Sequence, residues 1–274
     1  MTVLALVRGE AWVMLDEAEP VALADGDVAI FRGPEPYTVA DDPATPPQAI
    51  IHPGQRCTTL AGEELVERWN RGVRSWGNAD DGATVMLTGT YQLSGEVSRR
   101  LLLALPGLVV LRQDEWDCPF IPVLADEIVK DEPGQEAVLD RLLDLLLIAV
   151  LRAWFARPDG QPPGWYRAHA DPVVGPALRL LHHNPAHPWT VATLAHEVGV
   201  SRAALARRFH ELVGEPPMTF LTSWRIALAA DLLREPGATI GSVAEQVGYG
   251  SPFALSTAFK RIRGISPQQH RAAA

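Results

Sequence analysis

The sequence comprises 274 residues, of which 47% are hydrophobic and 21% are charged; this balance is typical of a globular protein, and the length suits two domains. The two cysteines exclude a disulfide framework, and the longest apolar run, residues 142–151, is too short to cross a bilayer. We expect no secretory signal, no membrane partner and a cytoplasmic location.

Charge is distributed unevenly along the chain. The formal net charge is −9, but residues 175–274 contain ten Lys/Arg and six Asp/Glu, a net of +4, which leaves residues 1–174 with a net of −13. Only the C-terminal part is therefore suited to a polyanionic partner. The excess is small, so charge alone is weak evidence for nucleic acid.

The N-terminal region reads as short β-strands separated by turns. Hydrophobic segments lie at residues 11–15, 28–31, 84–93 and 108–112, between stretches rich in Pro, Gly and Asp. This pattern predicts a small antiparallel β-barrel or sandwich over residues 1–120.

Helical spacing replaces this pattern between residues 122 and 157. Leucines and other apolar residues recur there every three or four positions. The stripe nearly closes around residues 145–151, so the helix must be buried against its own domain, against a second copy of itself, or both. We assign residues 121–165 to a helical linker or dimerisation segment, ended by a Pro/Gly-rich break at 156–165.

The last region, residues 166–274, contains one motif twice. VGVSRAALARRFHELVGEPP at 198–217 is matched by VGYGSPFALSTAFKRIRGISP at 247–267, with a spacing of 49 residues that becomes 50 after a single insertion. Each copy predicts a short amphipathic helix, a glycine turn, and a second amphipathic helix that ends at glycine. We expect Thr190 and Thr239 to cap the first helices.

The second helix of each copy has one face for the core and one for solvent. In the second copy we expect Leu255, Phe259 and Ile262 to face inward. A pair of this kind is a helix-turn-helix unit, whose second helix leaves one face free for a DNA major groove. We therefore predict two such units, at 190–214 and 239–264, that read adjacent major-groove segments.

The outward positions define the predicted DNA contacts. Residues expected to face bases are Arg202, Ala203, Ala206 and Arg207 in the first unit and Phe253, Ala254, Ser256 and Thr257 in the second. Residues expected to contact phosphates are Ser201, Ser251, Lys260 and Arg261. Of these, Arg207 can make a forked contact to guanine.

Residues from about 175 to 271 resemble the DNA-binding domain of the AraC/XylS family of bacterial transcription regulators. The elements VGY, AFKR and the closing G-x-SP-x-x-HR carry the resemblance most specifically. It implies double-stranded promoter DNA and RNA polymerase as partners. Relatives usually carry Glu and often Arg where this chain has Pro252 and Thr257, so we expect the second unit to hold the DNA backbone more than it reads bases.

The stretch GEAWVMLDEAEPVALADGDVAIFRGPEPYTVADDP, residues 9–43, is similar to the cupin-like sensor domain of one branch of that family. Catalytic cupins hold a metal with a His-x-His motif and a Glu. Here Tyr37 stands about where a histidine is expected, and the sequence contains no His-x-His. We therefore predict that the chain is not an enzyme.

Three candidate sites lie in the N-terminal region. His52, Cys57 and Cys118 offer imidazole and thiolate ligands for Zn²⁺ or Ni²⁺, or an oxidant-sensing thiol pair; the alternative is a loop histidine and two buried cysteines. Arg68, Arg71 and Arg74 at helical spacing indicate an anion site or a solvated helix face. The aromatic candidates for an apolar effector pocket, or for ordinary core, are Trp12, Tyr37, Trp76 and Tyr91.

Together these features predict an α+β, one-component transcription regulator. A cupin-like antiparallel β-domain senses a small molecule, metal or oxidant, and an all-α C-terminal domain with two helix-turn-helix units binds promoter DNA as part of a homodimer. Two alternatives stay open: a cupin enzyme with an appended DNA-binding domain, and an architectural DNA binder that responds to no ligand.

Overall fold

The computed structural model describes residues 1–16, 18–54, 56–72, 74–91, 95–157 and 162–272. Eleven strands and eleven helices lie in this part of the chain. The strands are β1 (Thr2–Arg8), β2 (Ala11–Leu15), β3 (Val21–Leu23), β4 (Val28–Phe31), β5 (Tyr37–Ala40), β6 (Ile50–Ile51), β7 (Cys57–Thr58), β8 (Asn70–Gly72), β9 (Ser75–Trp76), β10 (Val85–Thr90) and β11 (Leu108–Leu111). The helices are α1 (Glu96–Leu102), α2 (Phe120–Ile128), α3 (Gln135–Ala156), α4 (Gly164–Ala168), α5 (Val174–His183), α6 (Val191–Glu197), α7 (Arg202–Val213), α8 (Pro217–Leu232), α9 (Ile240–Gln246), α10 (Pro252–Arg263) and α11 (Pro267–Ala272).

The chain forms two compact units, and the second unit includes one short segment that interrupts the sequence of the first. The first unit comprises Met1–Gln92 and Leu105–Gly160, and the second comprises Leu93–Ala104 and Gln161–Ala274. Helix α1, which lies between β10 and β11 in the sequence, therefore belongs to the second unit. The division differs from the expected separate linker at residues 121–165, because α2 and α3 pack within the first unit.

Two antiparallel sheets make up the centre of the first unit. Their strand orders are β10-β1-β4-β11 and β3-β2-β5. Side chains from both sheets meet in one buried cluster of Leu4, Leu6, Ala11, Val13, Leu23, Ala29 and Phe31. The predicted α+β class is confirmed, and of the two predicted architectures the sandwich fits, since the described strands form separate sheets rather than one closed barrel.

Helix α3 packs on this unit along one side. A Cβ on Gly89 of β10 would lie 2.3 Å from a methyl carbon of Leu143, so a larger residue at this position would force the Leu143 side chain to move. The hydroxyl of Tyr91 donates a hydrogen bond to the Leu143 carbonyl oxygen. Leu146 and Val150 are buried on the same helix. The helix therefore covers the end of β10 and is part of the first unit.

The other side of α3 is uncovered. Val138, Leu145 and Ile148 are 45%, 44% and 53% exposed, and they form a partly apolar stripe along the helix. Among the described residues, no helix combines the length and apolar character that crossing a membrane requires.

The prediction of a helix across Arg68, Arg71 and Arg74 is wrong. Strands β8 and β9 form a two-stranded antiparallel ribbon there, and Arg74 has a φ of 50°, in the left-handed region that a continuing helix excludes. Arg71 lies 3.0 Å from the Asp80 carboxylate. The three side chains therefore do not form one cationic helix face.

The second unit contains two small cores joined by α8. The first core includes Leu178, Leu194, Leu205, Phe209, Phe220 and Leu221. The second includes Ile226, Ala229, Ala230, Val243, Leu255 and Phe259. Phe220 and Leu221 at the start of α8 serve the first core, and the residues from Ile226 onward serve the second, so one helix is shared by both helix-turn-helix units.

Capping residues begin the first helix of each unit as predicted. The Thr193 N–H donates to Thr190 Oγ1 at 3.0 Å, and the Thr190 N–H donates to Thr193 Oγ1 at 2.9 Å, which is a capping box. Thr239 and Ser242 repeat this pair of bonds at 3.0 and 3.1 Å. The duplication therefore includes the polar contacts that start each unit.

One predicted core position in the second unit is wrong. Ile262 is 41% exposed, whereas Leu255, Ala258 and Phe259 are buried. Ile262 lies in the last turn of α10, beyond the point where the second core ends. Helical periodicity gives the inward direction but not the length of the core behind it.

The two turn glycines provide a matched test of backbone constraint. Gly199 and Gly248 have φ values of +73° and +79°, but an added Cβ would lie 2.5 Å from the Ala186 carbonyl oxygen only at Gly248; nothing lies within 4 Å at Gly199. We expect Gly199→Ala to lower the free energy of unfolding by about 1–2 kcal/mol and Gly248→Ala to lower it further. Urea unfolding followed by circular dichroism measures both. Equal losses would contradict a backbone constraint from Ala186.

Candidate nucleic-acid interface

Helix α7 presents a partly cationic face to solvent. The Ala204 N–H donates to Ser201 Oγ at 3.2 Å, which fixes the start of the helix. Leu205 and Phe209 are fully buried, so the opposite face is directed outward. The residues predicted to face bases lie on that side: Arg202, Ala203 and Arg207 are exposed, and Ala206 is half-buried.

Adjacent arginines on α7 have different environments. Arg208 donates from Nε to both carboxylate oxygens of Asp171, at 3.0 and 2.8 Å. Asp171 also accepts the N–H groups of Val173 and Val174 at 2.9 Å, so the pair ties α7 to the start of α5. Arg207 Nε lies 3.8 Å from a carboxylate oxygen of Glu211, a long distance for an ion pair, and both side chains are exposed. Such a pair contributes little to stability and leaves Arg207 free to change partner. Arg207 is therefore the arginine available to a ligand.

Helix α10 presents a face of different chemistry. The Ala254 N–H donates to Ser251 Oγ at 3.1 Å, and Pro252 occupies the first turn. Phe253 is 81% exposed. The Thr257 hydroxyl donates to the Phe253 carbonyl oxygen at 3.0 Å. The face predicted to meet bases thus contains no charged or amide side chain.

The predicted phosphate contacts lie at the starts of α7 and α10 and in the last turn of α10. Ser201 and Ser251 accept backbone N–H groups as caps, and each hydroxyl keeps its own hydrogen to donate. Lys260 and Arg261 are exposed in the last turns of α10. These positions suit contacts that orient a protein on a duplex without reading its sequence.

Other arginines of the second unit are committed to the protein itself. Arg225 donates to the carbonyl oxygens of Pro185 and His187 at 2.7 and 2.8 Å. Arg271 donates to the carbonyl oxygen of Ala238. The cationic surface is therefore smaller than the arginine count of this region implies.

Sequence reasoning missed a contact between α1 and α10. The two guanidinium nitrogens Nη1 and Nη2 of Arg263 donate to the two carboxylate oxygens of Glu96, the first at 2.6 Å. The Glu96 N–H donates to Asp231 Oδ1 at 2.6 Å, so α8 caps α1. Glu96 is buried, and the Arg263 guanidinium holds the pKa of its carboxyl below the ordinary value. No local pattern around Glu96 predicts partners so distant in the chain.

The three candidate metal ligands, His52, Cys57 and Cys118, are not brought together. Among the described residues, no three or more His, Cys, Asp or Glu side chains are grouped so that they could hold a metal ion. His52 Nε2 is 3.0 Å from the Thr58 hydroxyl, and Cys57 and Cys118 are buried. Burial raises the pKa of both thiols, which disfavours the thiolate that metal binding and oxidation require.

The four predicted pocket aromatics occupy separate environments. The Tyr37 ring stacks on Phe31, with ring centroids 3.6 Å apart. Trp76 lies against Trp69 in the β8–β9 ribbon at 4.8 Å, and Trp12 lies half-buried on β2. The Tyr91 hydroxyl is bonded to α3. The described contacts therefore give three of them structural roles and do not assemble all four around one ligand.

Comparison with known proteins extends over both regions. Residues 1–156 match the family described as Cupin, and residues 194–273 match the one described as Helix-turn-helix domain. An AraC-like transcription regulator of Streptomyces lividans is 35% identical, with 97% of this chain and 85% of that protein aligned. The HTH-type transcriptional regulator AlkR of Acinetobacter baylyi is 34% identical, with 97% and 86% aligned.

Ionisation of Asp171 should make the stability of the second unit depend on pH. Hydrogen bonds from Arg208 lower the pKa of Asp171 to about 2, below the value of about 3.9 in unfolded chains. Its contribution is therefore present above about pH 4 and is lost as the pH falls through about 2. We expect Asp171→Asn to be less stable than the wild type at neutral pH, by a margin that narrows between about pH 4 and 2.

Urea unfolding at a series of pH values measures that margin. Arg208→Gln is the matched variant, because it removes the partner and keeps the carboxylate; its margin should narrow in the same range. A margin for Asp171→Asn that does not change with pH would contradict the assignment.

Proposed function

The chain belongs to the AraC family of transcription regulators, and from that premise we propose that it is a one-component regulator of promoters in the bacterial cytoplasm. The C-terminal helix-turn-helix domain binds DNA. The N-terminal β-sandwich senses an effector and has no catalytic role. The observation that carries the proposal is the pair of solvent-facing helices, α7 and α10, mounted on one shared helix.

In this proposal the two helices enter neighbouring major grooves of one duplex. Their exposed faces are directed away from the two cores that share α8. Two recognition helices need such free faces to enter the major groove. The base-facing residues are those predicted on α7 and α10, and Ser201, Ser251, Lys260 and Arg261 contact phosphates. Because the exposed cations are few, we expect modest non-specific affinity and a clear dependence on salt.

A small organic effector is favoured over a metal or an oxidant. The three-ligand metal set is not formed, and the raised pKa of Cys57 and Cys118 keeps both thiols protonated at neutral pH. The same observations count against a cupin enzyme, which needs a ligand set for its metal. Tyr37, in place of the histidine expected by resemblance, is stacked on Phe31 rather than directed to a ligand site.

Dimerisation through α3 fits its uncovered side. Val138, Leu145 and Ile148 are exposed on a helix whose opposite side is anchored to β10. Pairing two such stripes would bury them. A homodimer would then place four reading helices on a promoter, in direct or inverted half-sites, where it could contact RNA polymerase.

Helix α1 supplies a route from sensor to reader. It lies in the chain between two strands of the sensor sheet, yet it belongs to the second unit and pairs with Arg263 at the end of α10. Because α1 is connected to β10 at one end and to β11 at the other, a shift of either strand caused by an effector would displace α1. While α1 is docked, Glu96 neutralises Arg263 and keeps it from a phosphate.

Substitution of Arg207 tests the DNA-reading role. We expect Arg207→Ala to cost about 1–3 kcal/mol of binding free energy and to relax specificity at one base pair. Arg208→Ala, one residue away, should instead lower the stability of the fold and leave base preference unchanged, because its partner is Asp171. The measurement is binding of the purified full chain to sites mapped in its host genome, with transcription from those promoters in vitro.

Three outcomes of that experiment would count against the proposal. Equal losses for Arg207→Ala on all sequences would mean that Arg207 only holds a phosphate. Transcription unaffected by the bound protein would contradict a regulator. A footprint and transcript level that no metabolite of the mapped operons alters would favour the ligand-independent architectural binder.

Neutralising Glu96 tests the role of α1. We expect Glu96→Gln to release Arg263, so that DNA binding at low salt tightens and the slope of log K against log salt steepens by about 0.9, the value for one added phosphate contact. Arg263→Gln should show no such gain, and the double variant should abolish it. An unchanged slope for Glu96→Gln, with the fold intact by circular dichroism, would contradict the proposal.

A further inference from the structure

The two reading helices have equivalent positions with different chemistry. A spacing of 50 residues aligns Leu205 with Leu255 and Phe209 with Phe259, and all four are fully buried. The same spacing pairs the outward residues Arg202 with Pro252, Ala203 with Phe253, Ala206 with Ser256 and Arg207 with Thr257. The two outward arginines of the first helix, Arg202 and Arg207, therefore have no arginine at the equivalent positions of the second, and an aromatic side chain replaces an alanine.

This exchange removes the usual means of reading bases by hydrogen bonds. Bidentate contacts to base edges come from Arg, Lys, Asn or Gln, and none of these types occupies Pro252, Phe253, Ser256 or Thr257. The Thr257 hydroxyl hydrogen is already donated to the Phe253 carbonyl oxygen at 3.0 Å. What the face offers a base pair is mainly apolar surface.

Phe253 is the largest part of that surface and is held on a fixed backbone. It is 81% exposed, a state that leaves most of an aromatic ring in water. Pro252, the residue before Phe253, has a φ fixed by its ring. The Ser251 side chain fixes the first turn of the helix by accepting a hydrogen bond from the Ala254 N–H. Ordering the ring on a ligand therefore costs only its two side-chain torsions.

The apolar feature that a major groove displays is the C5-methyl group of thymine. We propose that Phe253 packs against a thymine methyl and thereby selects an A·T pair in the half-site of the second unit. Exposed Lys260 and Arg261 at the other end of α10 supply the charge complementarity that draws this face, rather than an apolar protein surface, to DNA. The inference rests on the proposed function, because it requires α10 to lie in the major groove.

Removal of single methyl groups from DNA tests this directly. The preferred site is first obtained by selection from random duplexes with the purified full chain, and each thymine is then replaced in turn by deoxyuridine, which lacks only the methyl. For the wild type we expect a three- to fivefold loss of affinity at one or two positions of the second half-site. Uracil at thymines of the first half-site should have less effect.

Two variants connect the methyl to the ring. Phe253→Ala should bind the selected site more weakly and should bind its thymine and uracil forms equally well. Ile262→Ala is the matched control, because it removes another exposed apolar side chain of α10 that is not assigned to the DNA interface, and it should keep the preference for thymine. Circular dichroism and binding of a first half-site probe verify that both variants are folded.

The outcomes separate this inference from the proposed function. Specific binding by the wild type with no uracil effect in the second half-site would overturn the inference and leave the regulator assignment intact. A uracil effect that persists in Phe253→Ala would overturn it as well, since another residue would then read the methyl. Unchanged DNA binding by Phe253→Ala would also overturn the inference, since the ring would then contribute nothing to binding of the site. Failure to select any sequence would contradict the proposed function itself.

Discussion

Helix α8 is the element on which α7 and α10, the two helices proposed to read DNA, both depend. Its first turns are buried in one core through Phe220 and Leu221, and its later turns in the other through Ile226, Ala229 and Ala230. Each core is too small to support an independent domain, so neither helix-turn-helix unit is expected to be stable without this shared helix. Because α8 has 16 residues, it is roughly 24 Å long. It therefore holds α7 and α10 at a separation set before DNA is bound, which limits the ordering entropy that binding must overcome.

Charge in the second unit is divided between holding the fold and meeting a ligand. Arg208, Arg225 and Arg263 are engaged with Asp171, with loop carbonyls and with Glu96. Arg207 and Lys260 stay exposed. The positive net charge of this region is small, so its suitability for DNA depends on where the few exposed cations lie and not on their number. The arginines that hold the fold keep the helices in place, and in the proposed complex Arg207 reads a base while Lys260 contacts a phosphate.

The duplicated units were predictable because their signals are local. Capping threonines, turn glycines and helical spacing lie within a few residues of one another, and the buried Leu and Phe positions also identify the outward face. Helix α1 has no such signal: its seven residues are capped by Asp231, 135 positions away. The same limit applies to Arg208, whose partner Asp171 is 37 residues distant, so the sequence does not tell which of two adjacent arginines is available. At Arg68, Arg71 and Arg74 a helical spacing arose by coincidence, and a left-handed residue breaks it.

Divergence between the two copies assigns them unequal tasks. Positions that face the cores keep the same residue types, so both helices are presented in the same way, while the outward positions have changed from arginine to proline and threonine. A site that hydrogen-bonds a base rejects a mismatch strongly, since a mismatch leaves polar groups unpaired. An apolar contact discriminates less, because the loss of one methyl group removes only a small burial term. The first unit is therefore expected to set which promoters are recognised, and the second to grade affinity among them. Helix α1 contacts the second of these helices, α10, through Arg263. A signal carried by α1 would therefore adjust the strength of promoter binding without altering the choice of sequence.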